Sequence, residues 1–134
     1  MDIGDKRIGV AKSDPEGWLA SPLEVVLREN DAAALTKISE LIKRHEVERV
    51  VIGLPRSLDG TLGQQAIKVQ AFAEELSKRI TVPAEFWDER LSTVAANRLM
   101  IEAGTKKGDK KSKRDAISSA LVLQAYLDYR QKQD

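Results

Sequence analysis

An α/β fold, with a mixed sheet covered by helices, is what this sequence predicts, and three observations predict it. Residues 7–12 alternate in polarity and residues 20–27 read as a second strand after a turn, which makes a β-hairpin. Residues 47–54, VERVVIGL, are a short apolar run rich in β-branched residues, as expected of a strand buried on both faces. Helical repeats stand on either side of that run, so a strand–helix–strand unit with a parallel crossover follows the antiparallel hairpin.

Each element has its own local signal. Asp14-Pro15-Glu16-Gly17 combines the residues that favour a reversal, and it separates the hairpin strands. Asn30 or Asp31 can cap a first helix whose apolar face is Leu35, Ile38, Leu41 and Ile42. Gly53 and Pro55 end the buried strand, and SLDGT (residues 57–61) is a loop. Leu62, Ala66, Val69, Phe72, Ala73 and Leu76 recur at helical spacing, predicting a second helix that runs to about Arg79. Residues 80–87 read as a strand entered through Pro83. Ser92 or Thr93 caps a third helix with the face Ala96, Leu99, Met100 and Ala103, and Gly104 stops it. A last helix, apolar on most sides over residues 116–127, carries Asp115 in its first turn and is expected to be well buried.

Composition narrows the chemistry. A chain of 134 residues without repeats or a low-complexity linker is expected to be one domain, residues 1–134. Absence of cysteine excludes disulfides and thiolate metal sites, and the single histidine, His45, leaves no histidine cluster for zinc. No apolar run reaches membrane-spanning length and the start does not read as a signal peptide, so a cytoplasmic protein with no membrane partner is expected. Net charge is only +1, so any nucleic-acid affinity must come from local charge. Residues 105–114, TKKGDKKSKR, supply it: six cations (Lys106, Lys107, Lys110, Lys111, Lys113, Arg114) stand against Asp109.

Acidic residues fall where open α/β sheets gather their sites, at the carboxyl ends of parallel strands. Asp2 stands in the first strand, Asp88 and Glu89 end the strand AEFWDER, and Asp115 opens the last helix. Any one of them alone reads as a cap or a solvated loop residue. Together they form an all-oxygen set suited to Mg²⁺ or Mn²⁺, and their mutual repulsion calls for a cation. Two such ions about 3.5–4 Å apart activate a water and stabilise the leaving oxygen of a phosphodiester. The lysines of the basic stretch would hold backbone phosphates without reading sequence.

DIGDKRIGVAKSD, VVIGLPRSLDGT, DERLST and the basic stretch leading into RDAISSALVLQAYL occur in that order over essentially the entire chain. These blocks resemble the YqgF (RuvX) family of RNase H-like nucleases. The resemblance implies an RNase H-like fold, with a five-stranded mixed sheet, its first three strands antiparallel, flanked by α-helices. It also implies a cytoplasmic, metal-dependent nuclease that matures the 5′ end of the pre-16S ribosomal RNA. The family's likeness to Holliday-junction resolvases keeps cleavage of branched DNA as a rival, and a non-catalytic nucleic-acid-binding or ribosome-assembly module is the reading from a different class. A monomer or a homodimer is compatible with these readings, the dimer being favoured by a junction with two equivalent strands.

Carried onto this chain, the resemblance makes Asp2, the pair Asp88-Glu89 and Asp115 the catalytic, metal-holding acids, with Mg²⁺ or Mn²⁺ as the expected cofactor. Strand alternation sends Asp88 and Glu89 to opposite faces, so one is expected to ligate metal while the other meets Arg90 or a loop. Gly53-Leu54-Pro55 and Arg56 match the loop near the site, and Lys6 and Arg7 match the cations after the first strand. With Arg90 and the lysines at 106, 107, 110, 111 and 113, these are the expected nucleic-acid contacts. Two departures stand out. Members of the family have several apolar residues before the aspartate matching Asp2, whereas only Met1 precedes it here, so the expectation is either that translation begins upstream or that the first strand is a stub beside the α-amino group. Ser118 and Ser119 occupy positions where alanines are common, and a back-bond to the helix is expected of their hydroxyls.

Overall fold

In the computed structural model the described residues are 1–56, 59–91 and 110–133, with side chains described over 116–132 of the last stretch. The chain opens with β1 (Asp2–Ile3), β2 (Arg7–Ser13) and β3 (Ala20–Leu27), followed by α1 (Asp31–Arg44) and β4 (Val50–Leu54). Then come α2 (Gln64–Ser77), β5 (Ala84–Asp88), a single 3₁₀ turn over Glu89–Leu91, and α3 (Lys110–Gln133). The expected helix from Ser92 or Thr93 to Gly104, with Lys106 and Lys107, lies outside the described residues.

The strands form two sheets. β2 pairs antiparallel with β1 (Asp2 opposite Gly9) and with β3 (Arg7 opposite Leu27), with a bulge between Val10 and Ala11. β4 and β5 pair in parallel, Ile52 opposite Phe86, across α2. The three antiparallel strands are thus followed by two parallel ones, but the ladders are separate rather than one continuous five-stranded sheet. The reason is the length of β1, which has two residues with which to bridge them. Met1 supplies the link: its nitrogen donates to the Val51 carbonyl (2.6 Å) and its carbonyl accepts from Gly53 N–H (3.0 Å), flanking Ile52 as in a parallel ladder.

Strand alternation sorts β4 between two cores. Val50, Ile52 and Leu54 pack with Ile8, Ile38, Val69 and Leu76 under α1 and α2. Val51 points the other way, to Trp87, Val122, Tyr126 and Leu127 beneath α3. Trp87 meets Tyr126 edge-on at 5.8 Å between ring centroids, a favoured aromatic geometry. All four residues of the predicted α1 face are buried, and Asn30 caps that helix by accepting from Ala33 N–H at 2.8 Å. The predicted hairpin turn is closed by the Asp14 carboxylate, which takes the N–H groups of Trp18 and Leu19, while Gly17 adopts φ +79°.

Several boundaries move, each for a local reason. β4 starts at Val50, not at residue 47, because Val47 N–H is committed to the Ile42 carbonyl at the end of α1. α2 starts at Gln64, after an extended Gly63, and leaves Leu62 outside the helix and exposed. β5 starts at Ala84, because Pro83 has no N–H and serves only as acceptor for Val50. α3 starts at Lys110, since KKSKR contains no helix breaker; Asp115 therefore stands in its second turn, and the basic stretch is helical from residue 110 on. Among the described residues no helix is long and apolar enough to cross a membrane.

Candidate active site

Chain direction gathers the acids at one end. Because β1 runs alongside β4, the turn after β1 lies where β4 and β5 finish. That turn is tight. Gly4 N–H donates to the Arg7 carbonyl at 2.9 Å, and a Cβ on Gly4 would stand 2.7 Å from the same oxygen, so glycine is required there. Lys6, exposed, and Arg7, partly buried, project from this turn. Arg28, which sequence patterning did not single out, pins it: its guanidinium donates to the Gly4 carbonyl and to Asp31, and lies 4.8 Å above the Phe72 ring.

The two neighbouring acids at the end of β5 do different things. Glu89 leaves the strand in the 3₁₀ turn, and its carboxylate lies directly over Gly53: a Cβ there would be 2.7 Å from Glu89 Oε1. The absence of a side chain at residue 53 is what lets Glu89 reach the β1–β4 junction. There it shares a field with Asp2. Burial lowers the Met1 α-amino group to about 6, and the carboxylates of Asp2 and Glu89 both act against that fall. Asp2 and Glu89 are each partly buried.

Asp88 is turned into a cluster of cations. Its carboxylate accepts from Arg90 Nη2 at 2.6 Å, from Arg90 Nε at 3.1 Å and from the Arg90 backbone N–H at 2.9 Å. Arg56 approaches the same group at 3.7 Å and donates to the Gly60 carbonyl at 3.1 Å. The Arg90 hydrogen bonds, followed by the charges of Arg90 and Arg56, hold the Asp88 carboxyl below the usual carboxylate range. Asp88 in turn raises Arg90, and Asp59 adds to that rise.

α3 covers the site on the face of β4 that carries Gly53 and Val51. Val122 Cγ1 would stand 3.4 Å from a Cβ on Gly53, so this helix passes over the spot where Glu89 sits. Asp115 precedes Val122 by seven residues, two helical turns, but its side chain lies outside the described ones. The side chains of Lys110, Lys111 and Lys113 lie outside them too. Ser118 and Ser119 are both buried in this helix. Ser119 Oγ has no hydrogen-bond partner, so the expected back-bond is not made there. Among the described residues no three acids or histidines stand close enough to hold a metal ion together; Asp2 and Glu89 are both near enough to the Met1 amino group to act on its charge. Their oxygens are of the type that Mg²⁺ and Mn²⁺ take. A cavity of about 860 Å³ is lined by Lys12, His45, Arg49 and Arg130 among others, and reaches Met1.

Known proteins match this chain closely. A family described as "RuvX: Holliday junction resolvase" matches residues 1–129. A protein of Desulforamulus reducens named "Putative pre-16S rRNA nuclease" is 44% identical over 128 residues, 96% of this chain and 93% of its own length. A protein of Moorella thermoacetica with the same name is 45% identical over 128 residues, 96% of this chain and 91% of its own. Among solved structures, Thermus thermophilus RuvC in complex with a Holliday junction substrate superposes with a TM-score of 0.51 at 17% identity, covering 97% of this chain and 92% of the other. At that identity the likeness speaks for the fold.

Proposed function

The chain belongs to the RuvX family, and from that premise we propose that it is a metal-dependent endonuclease that cuts the 5′ region of pre-16S ribosomal RNA. The observation that carries the reading is the Glu89 carboxylate lying over the bare Cα of Gly53, whose N–H is bonded to the Met1 carbonyl just ahead of Asp2. In this reading Asp2 and Glu89, with Asp115 from α3, hold Mg²⁺ or Mn²⁺, and the finer fold assignment is RNase H-like. When bound, two such ions would supply an activated water and charge stabilisation for the leaving oxygen. The chain's own residues bind and orient the substrate. Lys6 and Arg7 on the first turn, Arg56 and Arg90 beyond the parallel strands, and the lysines at 106, 107, 110, 111 and 113 take backbone phosphates. Trp87, Tyr126 and Val122 pack together beneath α3. In this reading the protein works on ribosomal RNA in the cytoplasm, as the names of its relatives suggest.

A second reading has a specific observation behind it. The family description names Holliday junction resolution, so branched DNA is the competing substrate. One experiment separates the readings: purified chain with Mn²⁺ or Mg²⁺, end-labelled pre-16S leader RNA, and a labelled four-way DNA junction. Cleavage of the RNA and not the junction is expected, and it should be abolished by Asp115→Asn and by Glu89→Gln. Junction cleavage alone would move the substrate to DNA. Cleavage of neither substrate, with binding retained, would leave a non-catalytic binding module.

A further inference from the structure

Asp88 is the acid that the sequence pairs with Glu89, yet the fold spends both its oxygens on arginines. Arg90 grips it along one edge, through Nε and Nη2, and the backbone N–H of the same residue adds a further hydrogen bond. Arg56, from the far side of the loop after β4, closes on it at 3.7 Å and anchors that loop through the Gly60 carbonyl. The Asp88 side chain is 18% exposed, while Arg56 and Arg90 are 34% and 35% exposed. The carboxylate therefore lies behind, and the two guanidinium groups stand in front of it. Gly60, at φ +88°, runs under Arg90, whose Nη1 would be 3.3 Å from a Cβ there; the loop surface is flat where the guanidinium rests. Asp59 also faces Arg90 electrostatically, but its carboxylate is tied within its own loop to the Thr61 N–H and hydroxyl.

Two guanidinium groups from different segments repel each other unless an anion sits between them. Asp88 is that anion on the protein side. A phosphate has the same charge sign and, though tetrahedral, likewise accepts two parallel hydrogen bonds from an arginine fork. We propose that Asp88 is a positioning residue, outside the set of acids that hold the metal, and that it presents Arg56 and Arg90 together as a clamp for one phosphate of the substrate backbone. The clamp stands beside Glu89, one residue along the chain from both Asp88 and Arg90, so the phosphate it holds is adjacent to the bond to be cut. This rests on the nuclease reading for the identity of the substrate, while the binding measurements below do not depend on cleavage.

The test compares Asp88→Asn with Glu89→Gln in the full chain. Binding of fluorescein-labelled pre-16S leader RNA is followed by anisotropy in Ca²⁺ at several salt concentrations, and Mn²⁺ affinity by electron paramagnetic resonance without RNA. Asp88→Asn is expected to weaken RNA binding about tenfold and to lower the magnitude of the salt slope by about 0.7 to 0.9, the equivalent of one phosphate, with Mn²⁺ affinity held within about twofold. Glu89→Gln is expected to do the reverse. The double variant Arg56→Gln/Arg90→Gln, which keeps Asp88, should reproduce the loss of RNA affinity, and adding Asp88→Asn to it should change binding no further. This cycle guards against a folding defect at residue 88. An Mn²⁺ loss in Asp88→Asn as large as in Glu89→Gln would overturn the proposal, as would unchanged RNA affinity and slope. If the wild type cleaves nothing but these shifts appear, the clamp stands and the nuclease reading falls.

Discussion

Gly53→Ala puts the candidate site under the most direct strain. Gly53 lies inside β4 and outside the left-handed region of backbone space, so alanine fits the backbone and should gain about 0.4–1 kcal/mol by restricting the unfolded chain. Against this, the new methyl would stand 2.7 Å from Glu89 Oε1 and 3.4 Å from Glu89 Cγ and Val122 Cγ1. Ordinary contact begins near 3.4 Å, so the carboxylate must retreat by about 0.7 Å while Val122 stays where it is. A flexible carboxylate tip moves at small cost, and the two effects nearly cancel. Thermal unfolding should therefore shift by no more than about 4 °C, the equivalent of about 1 kcal/mol in a chain of this size. Catalysis should not be so forgiving. A misplacement approaching 1 Å at a reacting centre costs about a hundredfold in rate. Single-turnover cleavage of labelled pre-16S RNA at saturating Mn²⁺, beside a differential scanning melt, measures both quantities. Wild-type turnover in a normally folded Gly53→Ala protein would refute the role given to Glu89 over Gly53. A melting loss far beyond 4 °C would refute the packing argument instead, by showing that the helix takes the clash.

Three further outcomes follow from other parts of the molecule. Leu76, with no exposed surface in the main core, should cost about 2–5 kcal/mol on truncation to alanine, read from urea unfolding midpoints at constant slope. The Asp88 carboxyl is held below its ordinary value of 3.8 in the folded protein, so the unfolded chain binds its proton first as pH falls; the stabilisation is complete above that value and disappears as pH drops through the folded one. Urea melts at pH 7 and pH 3 should thus show a smaller acid loss in Asp88→Asn than in the wild type, and equal losses would contradict the Arg90 pairing. Replacing Lys106, Lys107, Lys110 and Lys111 with glutamine should reduce the magnitude of the salt slope of RNA binding by up to about 2.8–3.6, taking about 0.7–0.9 for each phosphate no longer neutralised. An unchanged slope would return that stretch to ordinary solvated surface.

Much of the architecture can be read from short-range chemistry. The Asp14–Gly17 turn, the Asn30 cap and the apolar faces of α1 and α2 depend on neighbours within one or two turns, and they stand where local pattern puts them. The run around Val50, Val51 and Ile52 likewise announces a strand covered on both sides, and α2 between two strands announces their parallel pairing. Family membership, too, is legible in four ordered blocks, because the residues around a reaction centre are spaced along the chain by the elements that carry them.

What no local pattern contains is how the surroundings of Asp88 and Glu89 differ. Adjacent acids on one strand look equivalent in sequence, and alternation says only that they part. The end of β5 at Asp88, the 3₁₀ turn that swings Glu89 over a residue without a side chain, and the two arginines that converge on Asp88 from separate segments decide it. Apart from the Arg90 grip, which spans two residues, each of these is a contact between residues distant in the chain, or a consequence of one. The sequence by itself determined which elements form and which acids are available; only the tertiary structure decided which acid faces β1 and which is spent on cations. The physical reason is that helices, turns and buried strands answer to hydrogen bonds and apolar spacing within a few residues, whereas the environment of a charge is set by whatever the folded chain brings within a few ångströms of it.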